Sequence, residues 1–400
     1  MKAVILAAGE GKRMHPLTYT RPKVMLPIAN RPIMEHLMLE MKKAGIQEFV
    51  FVVGYHGEKI REHFDKGEKW DVQIDYVMQR KQLGTAHAVK LAQRFVKDKF
   101  LLANGDVLIL AEDIRRLLEG DYASLCLIEE DDTSGLGVVE VERSRVKRIH
   151  EKVAVPPSNL VNAGLYLLDE DIFSAIDRTS ESPRGEYELT DSLQILLDEN
   201  SEITWLKLSN WIDVSYPWDL LTANELLLAN GETENLGTVE ENVVLKGHIS
   251  IGTDTLVRSN CYLVGPIRIG ENCEIGPNCY IRPGTTIGNR CHIGSAVEIK
   301  NSIVMQGTKI PHHNYIGDSV LGEECNFGAG TKIANLRLDK QEITVANVAT
   351  RRRKLGAIIG DGVQTGINAS INVGSLIGNH TFIGPGATVA GIVLPNSRIF

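Results

Sequence analysis

The chain has 400 residues, 43% hydrophobic and 24% charged, enough apolar mass for two or three compact domains and too much for a disordered or collagen-like protein. Its 43 Lys and Arg against 51 Asp and Glu leave a net charge of −8. That balance excludes a nucleic-acid-coating protein and still allows a small basic pocket. The first apolar stretch, Ala3–Ala8, stops at Gly9-Glu10-Gly11-Lys12-Arg13, too soon for a secretory signal. No apolar run approaches the ~18 residues that span a bilayer. A cytoplasmic protein with neither nucleic-acid nor membrane partners is expected. The cysteines, Cys126, Cys261, Cys273, Cys279, Cys291 and Cys325, form no C-x-x-C pair and read as buried thiols in a reducing compartment rather than a metal site.

Taken in chain order, short β-branched runs at Ala3–Leu6, Phe49–Val53, Ile74–Met78, Phe100–Ala103, Ser124–Ile128 and Val161–Leu168 predict strands. Apolar residues at helical spacing predict helices over Ile33–Lys43 and Thr85–Val96. Strands alternating with helices imply an α/β domain, a Rossmann-like, mostly parallel sheet covered on both faces. Ligands of such sheets bind at the carboxyl ends of the strands.

The first strand leads into Leu6-Ala7-Ala8-Gly9-Glu10-Gly11-Lys12-Arg13, followed by Arg21-Pro22-Lys23. Gly9 and Gly11 let backbone amides wrap a phosphate, and Arg13 and Lys23 can neutralise a triphosphate and a departing anion. Position 14 is Met, so this is not the dinucleotide fingerprint, and no Gly-Lys-Ser/Thr follows as in a P-loop.

From about residue 240 the pattern changes. Ile269, Ile275, Ile281, Ile287, Ile293 and Ile299 recur every sixth position, as do Ile359, Thr365, Ile371, Ile377, Ile383 and Val389, often followed by Gly. This is the hexapeptide repeat of a parallel β-helix, in which the aliphatic ladder is scaffold. The ladder breaks between Ile333 and Ile359, where Asn335–Gly356 carries Arg337, Lys340 and Arg351-Arg352-Arg353-Lys354. Such an ejected loop lines a binding face or is a solvated tip. The expected organisation is a first domain over 1–228, a polar linker over 229–239 and the β-helix over 240–400.

The segment from Leu6 to Lys23 resembles the signature of sugar-1-phosphate nucleotidyltransferases, departing from it at Lys12, where that family has Thr. Gln79, Gln82, Leu83-Gly84-Thr85 resemble its base-reading segment, and Asp106 and Asp213 its metal ligands. Gly137, Glu151-Lys152 and Asn162-Ala163-Gly164 resemble its sugar-binding positions. The resemblance implies nucleotide contacts from Leu6, Ala8, Gly9, Gly11, Gln79, Gln82, Gly84 and Thr85. It implies sugar-phosphate contacts from Gly137, Glu151, Lys152 and Asn162, catalytic roles for Arg13 and Lys23, and Mg²⁺ on Asp106 and Asp213.

A second resemblance spans nearly the whole chain. In domain order and in Val297-Glu298-Ile299-Lys300-Asn301, His312-His313-Asn314-Tyr315-Ile316-Gly317-Asp318 and Asn326-Phe327-Gly328-Ala329-Gly330, the chain is similar to bacterial bifunctional N-acetylglucosamine-1-phosphate uridylyltransferase/glucosamine-1-phosphate acetyltransferases. Their β-helix is left-handed. The register puts His312 on the general base of acetyl transfer from acetyl-CoA, and a His suits that task. Arg282, Lys300, Tyr315, Asn326, Ala329 and Asn335 fall on amino-sugar and acetyl-CoA positions. Gln341 stands where that family has Lys, and Lys340, one residue earlier, is the candidate to replace it. A homotrimer through the β-helix is implied. UTP or dTTP, and glucosamine or galactosamine 1-phosphate, stay open as substrates. Two alternatives are a single-activity nucleotidyltransferase with a structural or allosteric β-helix, and a non-catalytic subunit of the same fold.

Overall fold

A computed structural model describes residues 1–120, 123–133, 135–151 and 155–400, so Lys152 lies outside the described residues. Contacts divide it into two compact units. The first comprises Met1–Glu10, Arg21–Met25 and Ile33–Asp213, the second Gly11–Thr20, Leu26–Pro32 and Val214–Phe400.

Among the described residues, the first unit holds a nine-stranded sheet. Its strands are β1 (Lys2–Ala7), β2 (Glu48–Val53), β3 (Gln73–Met78), β4 (Phe100–Asn104), β5 (Ala123–Glu129), β6 (Gly137–Glu142), β7 (Arg145–Glu151), β8 (Leu160–Leu168) and β9 (Ile203–Lys207). The order is β3-β2-β1-β4-β8-β5-β9-β7-β6. β3, β2, β1 and β4 run parallel, as Rossmann-like architecture requires. β8 enters antiparallel to β4 and β5, while β9 lies parallel to β5. The period of two in β1 sends Ala3, Ile5 and Ala7 to one face and Val4 to the other, each in its own buried cluster. Both faces are covered, which is why these strands read as continuous apolar runs. Helix α1 (Ile33–Lys43) covers one face with Met34, Leu37, Met38 and Met41, and Gly45 at φ +99° closes it in the left-handed region. The second predicted helix is shorter than expected: α2 covers Thr85–Ala92, and Gln93–Phe95 tightens into a 3₁₀ turn before Val96 goes extended.

The second unit is built on a left-handed parallel β-helix whose coils form three parallel sheets of nine, nine and eight strands. Ile275 stacks beneath Ile293 and Ile281 beneath Ile299, one 18-residue coil apart. The column is sealed from solvent: Ile275, Ile281, Ile293, Ile299, Ile316 and Ile333 are all fully buried. Two coils are one residue short, since Ile299 pairs with Ile316 and Ile316 lies a coil from Ile333. In both, the ladder takes five steps instead of six, from Ile299 to Val304 and from Ile316 to Leu321. The tight corners put Asn301 and Asp318 at φ +46° and +48°, a region that Asn and Asp tolerate better than most side chains. The loop leaves after Ile333, and Leu321 next pairs with Ile359. Within it Thr344–Val345 and Val348–Ala349 form a hairpin. The basic run divides: Arg352 is half-buried on helix α3 (Asp219–Ala229), while Arg351, Arg353 and Lys354 are exposed. Ahead of the coils, fully buried Asn224 of α3 accepts from Ala29 N at 2.9 Å and donates to Gly284 O at 2.8 Å. Because the ladder has no space to close over a hole, Ile293→Ala should cost about 2–5 kcal/mol, read as an earlier chemical-denaturation midpoint. An unchanged midpoint would mean that the coils are not held by this column.

Candidate functional site

The candidate nucleotide residues of the first unit gather at the carboxyl ends of β1 to β4. Leu6 O accepts from Gly105 N at 2.9 Å, and a Cβ at Gly105 would stand 2.8 Å from that oxygen. Ala8 O accepts from Tyr55 N at 3.1 Å and from Gln82 Nε2 at 2.9 Å, so Gln82 is drawn to the start of the loop. A Cβ on Gly9 would meet nothing within 4 Å, which leaves this backbone open for a ligand. Gln79, buried at 5% exposure, donates to Gly84 O at 3.1 Å and meets His87 Nδ1 at 2.9 Å. Gly84 has φ +100°, and a Cβ there would fall 2.4 Å from Tyr187 O, so only Gly fits. Thr85 Oγ1 accepts from Leu189 N at 2.9 Å.

The structure brings Asp106 and Asp213 together. Strand Val107–Leu108 pairs antiparallel with Ile212–Asp213, setting Asp213 opposite Val107. Lys23, only 8% exposed, donates from Nζ to Asp106 Oδ2 at 2.7 Å and lies 3.9 Å from Asp213 Oδ1. Two carboxylates thus converge on one cation. No group of three or more His, Cys, Asp or Glu able to hold a metal occurs among the described residues. A carboxylate pair nevertheless suits Mg²⁺, which takes one or two carboxylates and completes its shell with phosphates and waters.

A cavity of about 250 Å³ gathers Thr85, Gly137, Glu151 and Asn162, four of the expected residues. Asn162 donates to the Tyr166 hydroxyl at 2.8 Å, and burial raises the Tyr166 pKa far above its ordinary range. A Cβ at Gly137 would come within 3.1 Å of Glu151 Oε2. Sequence reasoning missed Arg184, which lines the same cavity and donates to Glu151 Oε1 at 3.1 Å and Glu188 Oε1 at 2.7 Å. Gly11 and Arg13 fall in the second unit. There Gly11 takes φ +70°, and Arg13 lies over the Tyr216 ring at 5.2 Å and donates to Ser215 Oγ at 3.4 Å.

In the β-helix, a second charged cluster forms around the short corners. Lys300 Nζ donates to Asp318 Oδ2 at 2.9 Å and Oδ1 at 3.2 Å. Asn335 Nδ2 donates to Asp318 Oδ2 at 2.5 Å. Tyr315 stands one coil from Glu298, and Arg282 pairs with Glu298 Oε1 at 2.9 Å. Burial, then Glu298 and Asp318, raise the Tyr315 pKa. Gly317 makes the approach possible, since a Cβ there would lie 2.7 Å from both the Tyr315 hydroxyl and Asn335 Nδ2. His312 is exposed on the preceding corner, separated from Asp318 by strand Tyr315–Gly317. Asn326 is exposed on a neighbouring sheet, and Ala329 O accepts from Asn368 N at 2.8 Å. Lys340 is exposed at φ +57° in a turn closed by Lys340 N to Arg337 O at 3.0 Å. A single chain therefore joins Lys300, Tyr315 and Asn335 around Asp318, with Arg282 on Glu298 one coil away, and leaves His312 on the preceding corner, Asn326 on a neighbouring sheet and Lys340 in the ejected loop.

Fold and site together define the class, a Rossmann-like nucleotidyltransferase domain carrying a hexapeptide-repeat β-helix. Residues 2–230 match the nucleotidyl transferase family, and residues 263–366 match the GMPPB C-terminal domain. The chain is 45% identical to the bifunctional protein GlmU of Methanococcus maripaludis strain C7, over 100% of this chain and 97% of that one. It is 39% identical to the bifunctional sugar-1-phosphate nucleotidylyltransferase/acetyltransferase of Sulfurisphaera tokodaii, over 97% of each. A UDP-glucose pyrophosphorylase solved with UDP-glucose shares the fold at 22% identity and TM-score 0.53, over 57% of this chain and 99% of that one. The chain belongs to the nucleotidyl transferase family and, over its full length, to the bifunctional GlmU proteins within it.

Proposed function

We propose that the chain builds a nucleotide sugar in two reactions. In one, acetyl passes from acetyl-CoA to the amine of glucosamine 1-phosphate or galactosamine 1-phosphate. In the other, a sugar-1-phosphate oxygen attacks the α-phosphorus of UTP or dTTP, and pyrophosphate leaves with the electron pair of the broken P–O bond. The observation that carries the reading is the convergence of Asp106 and Asp213 on Lys23 at the strand ends. Two anions must meet in this reaction, so fixed cations and a metal site are what it needs.

In this reading Asp106 and Asp213 would hold Mg²⁺, which when bound screens the phosphates and the departing charge. Lys23 and Arg13 add fixed positive charge where the pyrophosphate leaves. Gln79, Gln82, Gly84 and Thr85, with Leu6, Ala8, Gly9 and Gly11, hold the nucleotide. Gly137, Glu151, Lys152 and Asn162 hold the sugar phosphate. In acetyl transfer, His312 removes a proton from the substrate ammonium, and the free amine attacks the thioester carbonyl. The C–S bond breaks and coenzyme A leaves as the thiol after taking up a proton. Lys300 and Arg282 meet the phosphate, Tyr315 and Asn335 the sugar, Asn326 and Ala329 the acetyl-CoA, and Lys340 reaches in from the loop. The separation of His312 from Lys300 on one chain favours a homotrimer in which neighbouring β-helices complete each site. Six free thiols, all buried, favour a cytoplasmic location.

The test is a matrix of four nucleoside triphosphates against glucose, N-acetylglucosamine and N-acetylgalactosamine 1-phosphates, following pyrophosphate, beside an assay of thiol release from acetyl-CoA with each amino-sugar 1-phosphate. Both signals are expected, with UTP or dTTP preferred. Pyrophosphate without thiol would leave a single-activity nucleotidyltransferase, and neither signal would defeat the reading.

A further inference from the structure

Asp318 is the most enclosed carboxylate of the β-helix cluster, 2% exposed. A carboxylate so far from water needs its lone pairs met, and three side chains meet them. Lys300 donates to both oxygens, Asn335 to Oδ2 at 2.5 Å and Asn301 to Oδ1 at 2.9 Å. The same Asn301 amide donates to Glu225 Oε1 at 2.8 Å, and Arg352 of the ejected loop donates to that oxygen at 2.9 Å. Asn301 and Asp318 both sit at the short corners at left-handed φ. Lysine brings a mobile four-carbon stem, which has to be ordered before its ammonium can sit at a fixed point.

We infer that Asp318, braced through Asn301 by Glu225, is the positioning residue that fixes Lys300 for the phosphate of the amino-sugar 1-phosphate. The inference rests on the acetyl-transfer reading and adds to it a residue that does not touch substrate. Asp318 acts through Lys300, so its loss should weaken binding of the amino-sugar 1-phosphate and do nothing more once Lys300 is gone.

The experiment is a double-mutant cycle on the full chain with glucosamine 1-phosphate and acetyl-CoA. Asn is tolerated at left-handed φ, so Asp318→Asn changes the charge with little backbone strain. It should raise the KM for glucosamine 1-phosphate roughly tenfold, with the KM for acetyl-CoA and the rate of nucleotidyl transfer unchanged. Lys300→Ala should raise that KM at least as much, and adding Asp318→Asn to it should add less than twofold. Asn301→Gly, which removes one of the three donors to Asp318 and with it the link to Glu225, should give a smaller rise that also vanishes in the Lys300→Ala background, and it serves if Asp318→Asn does not fold. Effects that multiply in the double variant would show that Asp318 acts apart from Lys300, and would overturn the inference alone. Unaltered acetyl transfer in Lys300→Ala would overturn both the inference and the reading beneath it.

Discussion

Asp106→Asn should lower nucleotidyl transfer by roughly 10³-fold, a magnitude in the range seen when a preorganised charge contact is removed, and leave acetyl transfer unchanged. The substitution keeps the shape and removes one of the two negative charges that meet at Lys23. With one carboxylate gone, affinity for Mg²⁺ should fall, and the Lys23 ammonium loses its 2.7 Å partner. Strand pairing of Val107 with Asp213 is untouched, because it is made by backbone. Pyrophosphate release measured at saturating Mg²⁺ decides the matter. A near-normal rate would remove Asp106 from the site.

His312→Ala should cost acetyl transfer roughly 10²–10⁴-fold, the usual worth of a positioned base. His312 is exposed, so truncation should not disturb the core, and thermal stability should hold. Nucleotidyl transfer to a pre-acetylated sugar phosphate should continue, since its candidate groups lie elsewhere. The neighbouring His313→Asn should be mild in both assays. His313 sits at φ +52°, which Asn tolerates, and its carbonyl accepts from Lys332 Nζ whatever the side chain. Should His313 be essential and His312 dispensable, the register is off by one residue.

The parts of the fold visible in the sequence are those with a short repeat. The sixfold aliphatic ladder and the alternation of strands with helices need only local spacing to be seen. So did the loop carrying Gly9, because a strand ending in closely spaced Gly is a local pattern. Entry of β8 into the sheet antiparallel was not legible: its residues are buried on both faces, and burial on both faces reads the same in either direction. Arg184 lies in an irregular loop, and its role depends on Glu151, far away in sequence, and on Tyr187 N closing onto Leu83 O at 2.8 Å. Asp318 closes the motif that begins at His312, but its residue type alone does not mark its role. The signal that marks it is the five-residue step from Ile316 to Leu321, a slip that a strict period of six passes over. The basic run could not be divided from sequence, since what sets Arg352 apart is its contact with Glu225 and Thr222, both distant in the chain.

One measurement bears on both reactions at once. The full chain is given glucosamine 1-phosphate, acetyl-CoA labelled in its acetyl group, Mg²⁺ and either UTP or dTTP, and the nucleotide sugar is analysed by mass spectrometry. With one of the two triphosphates, the expected product is a nucleotide-linked N-acetylated sugar carrying one labelled acetyl group, with at least one coenzyme A thiol and one pyrophosphate released for each nucleotide sugar formed. Nucleotide sugar that forms only from pre-acetylated sugar phosphate, without label from acetyl-CoA under either triphosphate, would contradict the two-reaction reading.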